Sequence, residues 1–174
     1  GPVCVATAVS KMPHWDAEVI DENNLRLYGV RAQSGGADHE FLQKQRPADV
    51  VGLYGGLTST IPRLYALARF YKSRNVITIA GGQHFTDETI EEALGSGIDY
   101  IVLGEGEAAI VEVLHAIEGR RGFDNIQGLV YLKDGKMVKN SRREPRLDFD
   151  ALPLPDFGLV RYAKIKMYPV ERIR

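Results

Sequence analysis

The sequence is short of several things, and each shortage excludes something. It has one cysteine, Cys4, in 174 residues. That rules out an internal disulfide and any metal site built from several cysteines of this chain, and a reducing cytoplasm is the simplest setting. Neither charge is in excess: 22 Lys and Arg against 23 Asp and Glu give a formal net charge of −1. A nucleic-acid partner is therefore not expected. No apolar run approaches the roughly 20 residues of a membrane span, so a membrane partner is not expected either. The opening residues show neither a basic n-region nor a long apolar h-region, the marks of a secretory signal. What the chain does have is 44% hydrophobic residues, enough for one real core in a domain of ordinary size.

Periodicity orders that material. VCVATAVSKM (3–12) is apolar on a helical period through Val3, Ala6, Val9 and Met12, and Pro13 ends it. AEVIDE (17–22) is a short strand finishing on acids, and residues 23–37 read as irregular. Asp38 caps a short helix, HEFLQKQ, and ADVVGLYG follows as a strand. STIPRLYALARFYKSRN is a helix capped by Ser59 or Thr60, with Pro62 in its first turn and a stripe of Leu64, Leu67, Ala68 and Tyr71. VITIAGG and DYIVLGEGE run apolar without alternation, as strands covered on both faces do. DETIEEALGSG and AAIVEVLHAIEG are the helices after them.

Helices and strands therefore alternate, which predicts an α/β fold with a Rossmann-like, doubly wound parallel sheet over residues 1–122. Such sheets open on a strand, whereas this chain opens on a helix, so a first strand is expected upstream. Residues 123–145 read as a β-hairpin extension turning at Asp134-Gly135. Residues 146–174, with the proline-rich LPLPDF and an alternating RYAKIKMYPVERI, read as an extended linker toward a following domain.

Three of the strands end on bare backbone just before a helix: VVGLYGGLTST (50–60), ITIAGGQHFTDE (77–88) and YIVLGEGEAA (100–109). In open parallel sheets ligands bind at the carboxyl ends of the strands. Glycine there admits close approach to the main chain, and the following helix N-termini offer free N–H groups. Thr58, Ser59 and Thr60 add short hydroxyls. No G-x-x-x-x-G-K-[ST] occurs, and GEGEAA sets acids where a pyrophosphate would be repelled, so neither common nucleotide pattern is met. Glycines after strands also occur merely to make short βα turns. It is the threefold repetition that points to a broad ligand surface.

The ordered set VIDEN (19–23), ADVVGLYGGLTSTIPRLYALA (48–68), AGGQHFT (80–86), EEAL (91–94), GIDYIVLGEGE (97–107), GLVY (128–131) and LPLPDF (152–157) resembles the N-terminal cobalamin-binding domain of B12-dependent radical SAM proteins. The resemblance implies a Rossmann-like domain holding cobalamin at the carboxyl edge of its sheet. It also implies a linker into a radical SAM barrel of the same parent chain, where a [4Fe–4S] cluster and S-adenosylmethionine would be bound, neither of them by these residues. Carried over, Gly55, Gly56, Leu57, Thr58, Ser59 and Thr60 would line the face beneath the corrin and the channel for its nucleotide tail. Gly81, Gly82, Gln83 and His84 would border the tail, and Gly104, Glu105, Gly106 and Glu107 the opposite flank. No D-x-H-x-x-G is present; Asp38 and His39 in ADHEFL have the wrong spacing, so the resemblance implies a cobalt without a protein histidine ligand. By the same resemblance the parent would be a methyltransferase or a related radical-driven cyclase, with no catalytic residue in this part. The alternative is a non-catalytic Rossmann-like domain that has lost the cofactor and serves regulation or assembly.

Among the remaining residues, Asp21 and Glu22 suggest the acid pocket of a receiver domain, but no matching lysine follows a late strand. Glu105 and Glu107 are expected to favour the start of the next helix. His14, His39 and His115 lack partners in sequence, Tyr65, Phe70 and Tyr71 read as core or interface, and Arg120, Arg121, Arg142 and Arg143 as solvated.

Overall fold

A computed structural model describes residues 1–144 and 152–161. The central element is a five-stranded sheet in the order β2-β3-β4-β5-β6. Strands β2 (Val50–Tyr54), β3 (Ile77–Gly81) and β4 (Tyr100–Val102) are parallel. β5 (Leu129–Lys133) and β6 (Lys136–Lys139) continue it antiparallel. The predicted hairpin is present, and its turn residues both have positive φ, 51° at Asp134 and 75° at Gly135. A two-residue turn of that hand matches the twist of the flanking strands. The hairpin is not an appendage: β5 pairs along β4, so it extends the parallel sheet.

Both faces are covered. Helices α4 (Ile61–Lys72) and α5 (Ile90–Gly95) bury Ile61, Leu64, Tyr65, Ala68, Ile90 and Ala93 against Ala80, Ile101 and Val130. On the other face α1 (Pro2–Ser10) and α6 (Gly106–Ile117) bring Val9, Ile110, Val113 and Leu114 against Ile79, Val102, Leu129 and Tyr131. Alternate strand residues thus serve opposite cores, which is why these strands read as unbroken apolar runs. Trp15 Nε1 donates to Glu118 Oε1 at 2.7 Å and ties the loop after α1 to the end of α6. Just past the foot of α4, Asn75 has φ 59°, a left-handed position that stops the helix.

Several expectations need correction. Residues 23–37 are not all irregular, because Glu22–Tyr28 forms a helix, α2. Asp21 caps it, accepting from Asn23 N at 2.9 Å, and that cap outweighs two poor helix formers, Asn23 and Asn24. The AEVIDE strand shrinks to β1 (Val19–Ile20) and stands apart from the five-stranded sheet, paired in parallel with β7 (Val160–Arg161). On α1 the most buried residue is Thr7, not Val3 or Ala6. On α4, Ile61 and Tyr65 are buried where Leu67 was expected. The helix before β2 is α3 (His39–Gln45), and Asp38 caps it as predicted, accepting from Phe41 N at 2.9 Å. Arg143 is not solvated: it lies 2.8 Å from Glu112 Oε2 with its side chain largely enclosed. The alternating stretch 161–173, read as part of the linker, lies outside the described residues except for Arg161.

Candidate cofactor edge

Register fixes how the three glycine-ended corners stand to one another. Tyr54 is opposite Gly81 and Gly81 opposite Val102, so residues 55–60, 81–84 and 104–107 emerge side by side at one carboxyl edge. The corners are not equivalent. Gly55 is buried, and a Cβ there would stand 2.7 Å from the Phe85 ring and 3.2 Å from Ile61 Cδ1. Gly82 has φ 120°, and a Cβ there would meet Gly55 O at 2.6 Å. Gly55 N donates to Gly81 O at 2.8 Å, and His84 N donates to Gly55 O at 2.9 Å. The first two corners are therefore locked backbone to backbone, and those glycines are explained by the protein's own packing. Gly56 lies under the Tyr54 ring, 2.5 Å from where a Cβ would be. Gly106 lets the start of α6 approach Val5 of α1, with 3.1 Å left for a Cβ. Gly104 differs from all of these: φ is 87° and, among the described residues, nothing lies within 4 Å of a Cβ.

The outward-facing groups are Leu57, Thr58, Ser59, Thr60 and Gln83, all exposed, with Gly81, His84, Glu105 and Glu107 half-buried. Thr58–Thr60 is one 3-10 turn leading into α4, and Thr60 Oγ1 donates back to Leu57 O at 2.7 Å instead of capping the helix. Glu105 occupies the position before α6 and Glu107 its first turn, where negative charge suits the helix dipole. His84 is the polar residue of most interest. Its main chain is held by Gly55 and by Thr89, whose Oγ1 donates to His84 O at 2.8 Å. Its Nε2 is buried without a hydrogen-bond partner among the described residues. An orphaned buried ring nitrogen carries a desolvation cost that a ligand's polar group would relieve. Sequence reasoning missed two residues of this edge. The Tyr54 ring, 53% exposed, stands with Leu57, 67% exposed, as an apolar step at the β2 tip, and Phe85 fills the space beneath Gly55.

Beside this edge the acids at the end of β1 do not form a receiver-like pocket. Asp21 is the cap of α2, and Glu22 accepts from Arg63 Nη2 at 2.6 Å and Nε at 3.0 Å. Glu22 Oε1 also lies 3.0 Å from His39 Nε2, and His39 Nδ1 lies 2.8 Å from the Tyr71 hydroxyl. The hydrogen bond from His39, helped by Arg63 and opposed by burial, holds the Glu22 carboxyl down at about 2. Burial first, then the Glu22 charge, pushes the Tyr71 phenol up to about 12. Both nitrogens are engaged, so His39 braces α2 and α3 against α4. Among the described residues no group of three or more His, Cys, Asp or Glu could hold a metal ion, and no helix is long and apolar enough to cross a membrane.

Comparison with known proteins gives a consistent picture. Residues 7–114 match the model of the B12 binding domain. The chain is 34% identical over 155 residues to an uncharacterized methyltransferase of Pyrococcus horikoshii, covering 85% of this chain and 33% of that protein. It is 30% identical over 92 residues to an anaerobic magnesium-protoporphyrin IX monomethyl ester cyclase of Synechocystis, covering 49% of this chain and 18% of that one. The chain thus spans a third or less of the curated relatives it matches. Among solved structures, the radical S-adenosylmethionine methyltransferase TsrM from Kitasatospora setae, with cobalamin and a [4Fe-4S] cluster bound, superposes with TM-score 0.63 at 19% identity. That match covers 88% of this chain and 28% of TsrM. The cobalamin-dependent S-adenosylmethionine radical enzyme OxsB, with aqua-cobalamin and S-adenosylmethionine bound, superposes with TM-score 0.50 at 17% identity over 67% of this chain and 16% of OxsB. These likenesses support the same Rossmann-like fold, and the matched segment runs from Thr7 in α1 to Leu114 in α6: the chain belongs to the B12 binding domain family.

Proposed function

We propose that this domain holds cobalamin on the carboxyl edge of its sheet and presents it to a radical SAM domain of the same parent protein. The observation that carries the reading is the adjacency of three βα corners with an exposed hydroxyl turn, a half-buried histidine whose ring nitrogen is orphaned, and an open glycine. These features fit a cofactor that combines a broad apolar ring with amide, ribose and phosphate groups. Leu57 and the Tyr54 ring supply apolar contact, and Thr58, Ser59 and Thr60 offer hydroxyls. His84 Nε2 offers a hydrogen bond, and Gln83 borders the same corner. Gly104 leaves the backbone approachable, Gly81 ends β3 beside it, and Glu105 and Glu107 stand on the flank. Gly55, Gly56, Gly82 and Gly106 act one step back, by letting the corners pack. When bound, cobalamin supplies a cobalt-centred methyl-carrying and redox chemistry that no side chain has. The domain's own task is to bind, orient and shield it. In the parent, the [4Fe–4S] cluster and S-adenosylmethionine belong to the radical SAM part, and a methyl transfer or radical cyclisation is the activity this reading assigns.

One observation favours a second reading. Gly55, Gly82 and Phe85 close the first two corners without any guest, as would suit a regulatory or assembly domain that has given up the cofactor. Hydroxocobalamin separates the two. The protein is incubated with it, desalted, and its visible spectrum recorded. Retained corrin absorbance, reduced several-fold by His84→Ala, is expected; a colourless wild-type protein overturns the cobalamin reading and leaves the second.

A further inference from the structure

The LPLPDF stretch behaves as part of the domain. Residues 152–161 cross α1 and end in β7, which supplies the parallel partner of β1, Val19 opposite Val160 and Ile20 opposite Arg161. One contact anchors the crossing. Asp156 N donates to Thr7 Oγ1 at 2.9 Å, while that hydroxyl donates to Val3 O at 2.7 Å. Thr7 is only 1% exposed, so its hydroxyl is saturated in a dry place, where losing the amide would leave a buried acceptor unmet. Asp156 in turn shapes the crossing: its Oδ1 accepts from Gly158 N at 2.9 Å, and its carbonyl accepts from Leu159 N at 3.2 Å. A Cβ at Gly158 would meet that same Oδ1 at 2.9 Å, so the glycine belongs to the turn. Beyond it, Arg161 Nε lies 3.2 Å from Glu18 Oε2.

The direction of β7 follows from ion pairs at the two ends of β1. Before β1, Asp16 and Glu18 pair with Arg46, which precedes the amino end of β2. After β1, Glu22 pairs with Arg63 in the first turn of α4, just beyond the carboxyl end of β2. β1 therefore runs from the amino to the carboxyl edge, and β7, parallel to it, points at the carboxyl edge as well.

We propose that residues 152–161 form a strap, latched by the Thr7 hydroxyl on the Asp156 amide, that fixes the direction in which the chain is delivered toward the carboxyl edge. The strap would hold that exit direction constant relative to the sheet. That the edge it faces is a cofactor edge rests on the reading above; the latch itself does not.

Amide hydrogen exchange of the cofactor-free protein tests the latch, so its outcome is independent of cobalamin binding. Thr7→Val keeps the shape and removes the hydroxyl. It is expected to speed exchange at Asp156 and in the β1–β7 pair by about tenfold, the scale of one lost hydrogen bond, with Ile79 and Ile101 unchanged; Thr7→Ser restores wild-type rates. Should Thr7→Val fail to fold, Asp156→Ala, at an exposed position, keeps the latch amide but removes the Oδ1 bond that shapes the crossing, and should speed exchange from Gly158 to Arg161. A second measurement reads distance: a paramagnetic tag on Leu154→Cys in a Cys4→Ala background broadens the amides of α1 around Thr7. Wild-type strap amides exchanging at unprotected rates, rates indifferent to both Thr7→Val and Asp156→Ala, or no broadening on α1 would each overturn the proposal.

Discussion

The corner after β2 and the corner after β4 both carry glycines, and they carry them for different reasons. At the first, Gly55 is pressed against Phe85 and Ile61 and against the backbone of Gly82, so the missing side chain makes room for the protein itself. At the second, Gly104 has a left-handed backbone and no described residue within 4 Å of where a Cβ would be, so the missing side chain makes room for the turn. A glycine at a strand tip therefore does not by itself mark a ligand. What distinguishes the two uses is what a Cβ would strike.

Substitution can break that contrast. Gly82→Ala is expected to cost the most, about 3 kcal/mol or more, because positive φ adds strain and the obstructing atom is backbone that cannot swing aside. Gly55→Ala follows at about 2 kcal/mol, since Phe85 is itself buried and moves only with its neighbours. Midpoints of urea unfolding measure both, and equal midpoints for Gly82→Ala and wild type would undo the claim that these corners are interlocked.

Glu22→Gln tests the brace beside the corners and comes next, at about 1–2 kcal/mol near neutral pH. Its sign with pH is determined. The folded-state carboxyl sits near 2, below its ordinary value of 4.5. Its contribution is therefore present above the unfolded value and lost as pH falls from there toward 2. The gap between wild type and Glu22→Gln in urea titrations should narrow as pH is lowered from 6 to 3.

Gly104→Ala should cost only the φ strain, about 1 kcal/mol. Gly104→Leu sharpens the point: it should destabilise no more than Ala does, yet lower retained corrin absorbance several-fold after desalting. Gly56→Ala is the smallest effect, under about 0.5 kcal/mol, because the atom in the way is the tip of the exposed Tyr54 ring, which can turn aside.

Legibility followed sequence distance. The strands β2, β3 and β4 and the hairpin could be read because continuous apolar runs and an Asp-Gly turn are local signals. Helix α2 could not, since Asn23 and Asn24 argue against a helix that the Asp21 cap then forms. His39 showed no partner in sequence because its partners, Glu22 and Tyr71, lie 17 and 32 residues away. The Thr7–Asp156 latch joins residues 149 apart, and Thr7 reads locally as one more half-polar helix position. At the candidate edge, the positions of the glycines were legible; Phe85 beneath one and Tyr54 above another were not.

By itself the sequence determined the alternation of helix and strand, the bare strand tips, the Asp134-Gly135 turn and the ordered motifs of a B12 binding domain, because each rests on neighbours within one turn or one strand. Only the tertiary structure decided which tips are plugged and which are not, that the hairpin joins the sheet, that β1 leaves it for β7, and that the Asp156 amide meets Thr7 of α1. Those outcomes depend on which distant atoms arrive at the same few ångströms, and packing settles that only when the whole chain has folded.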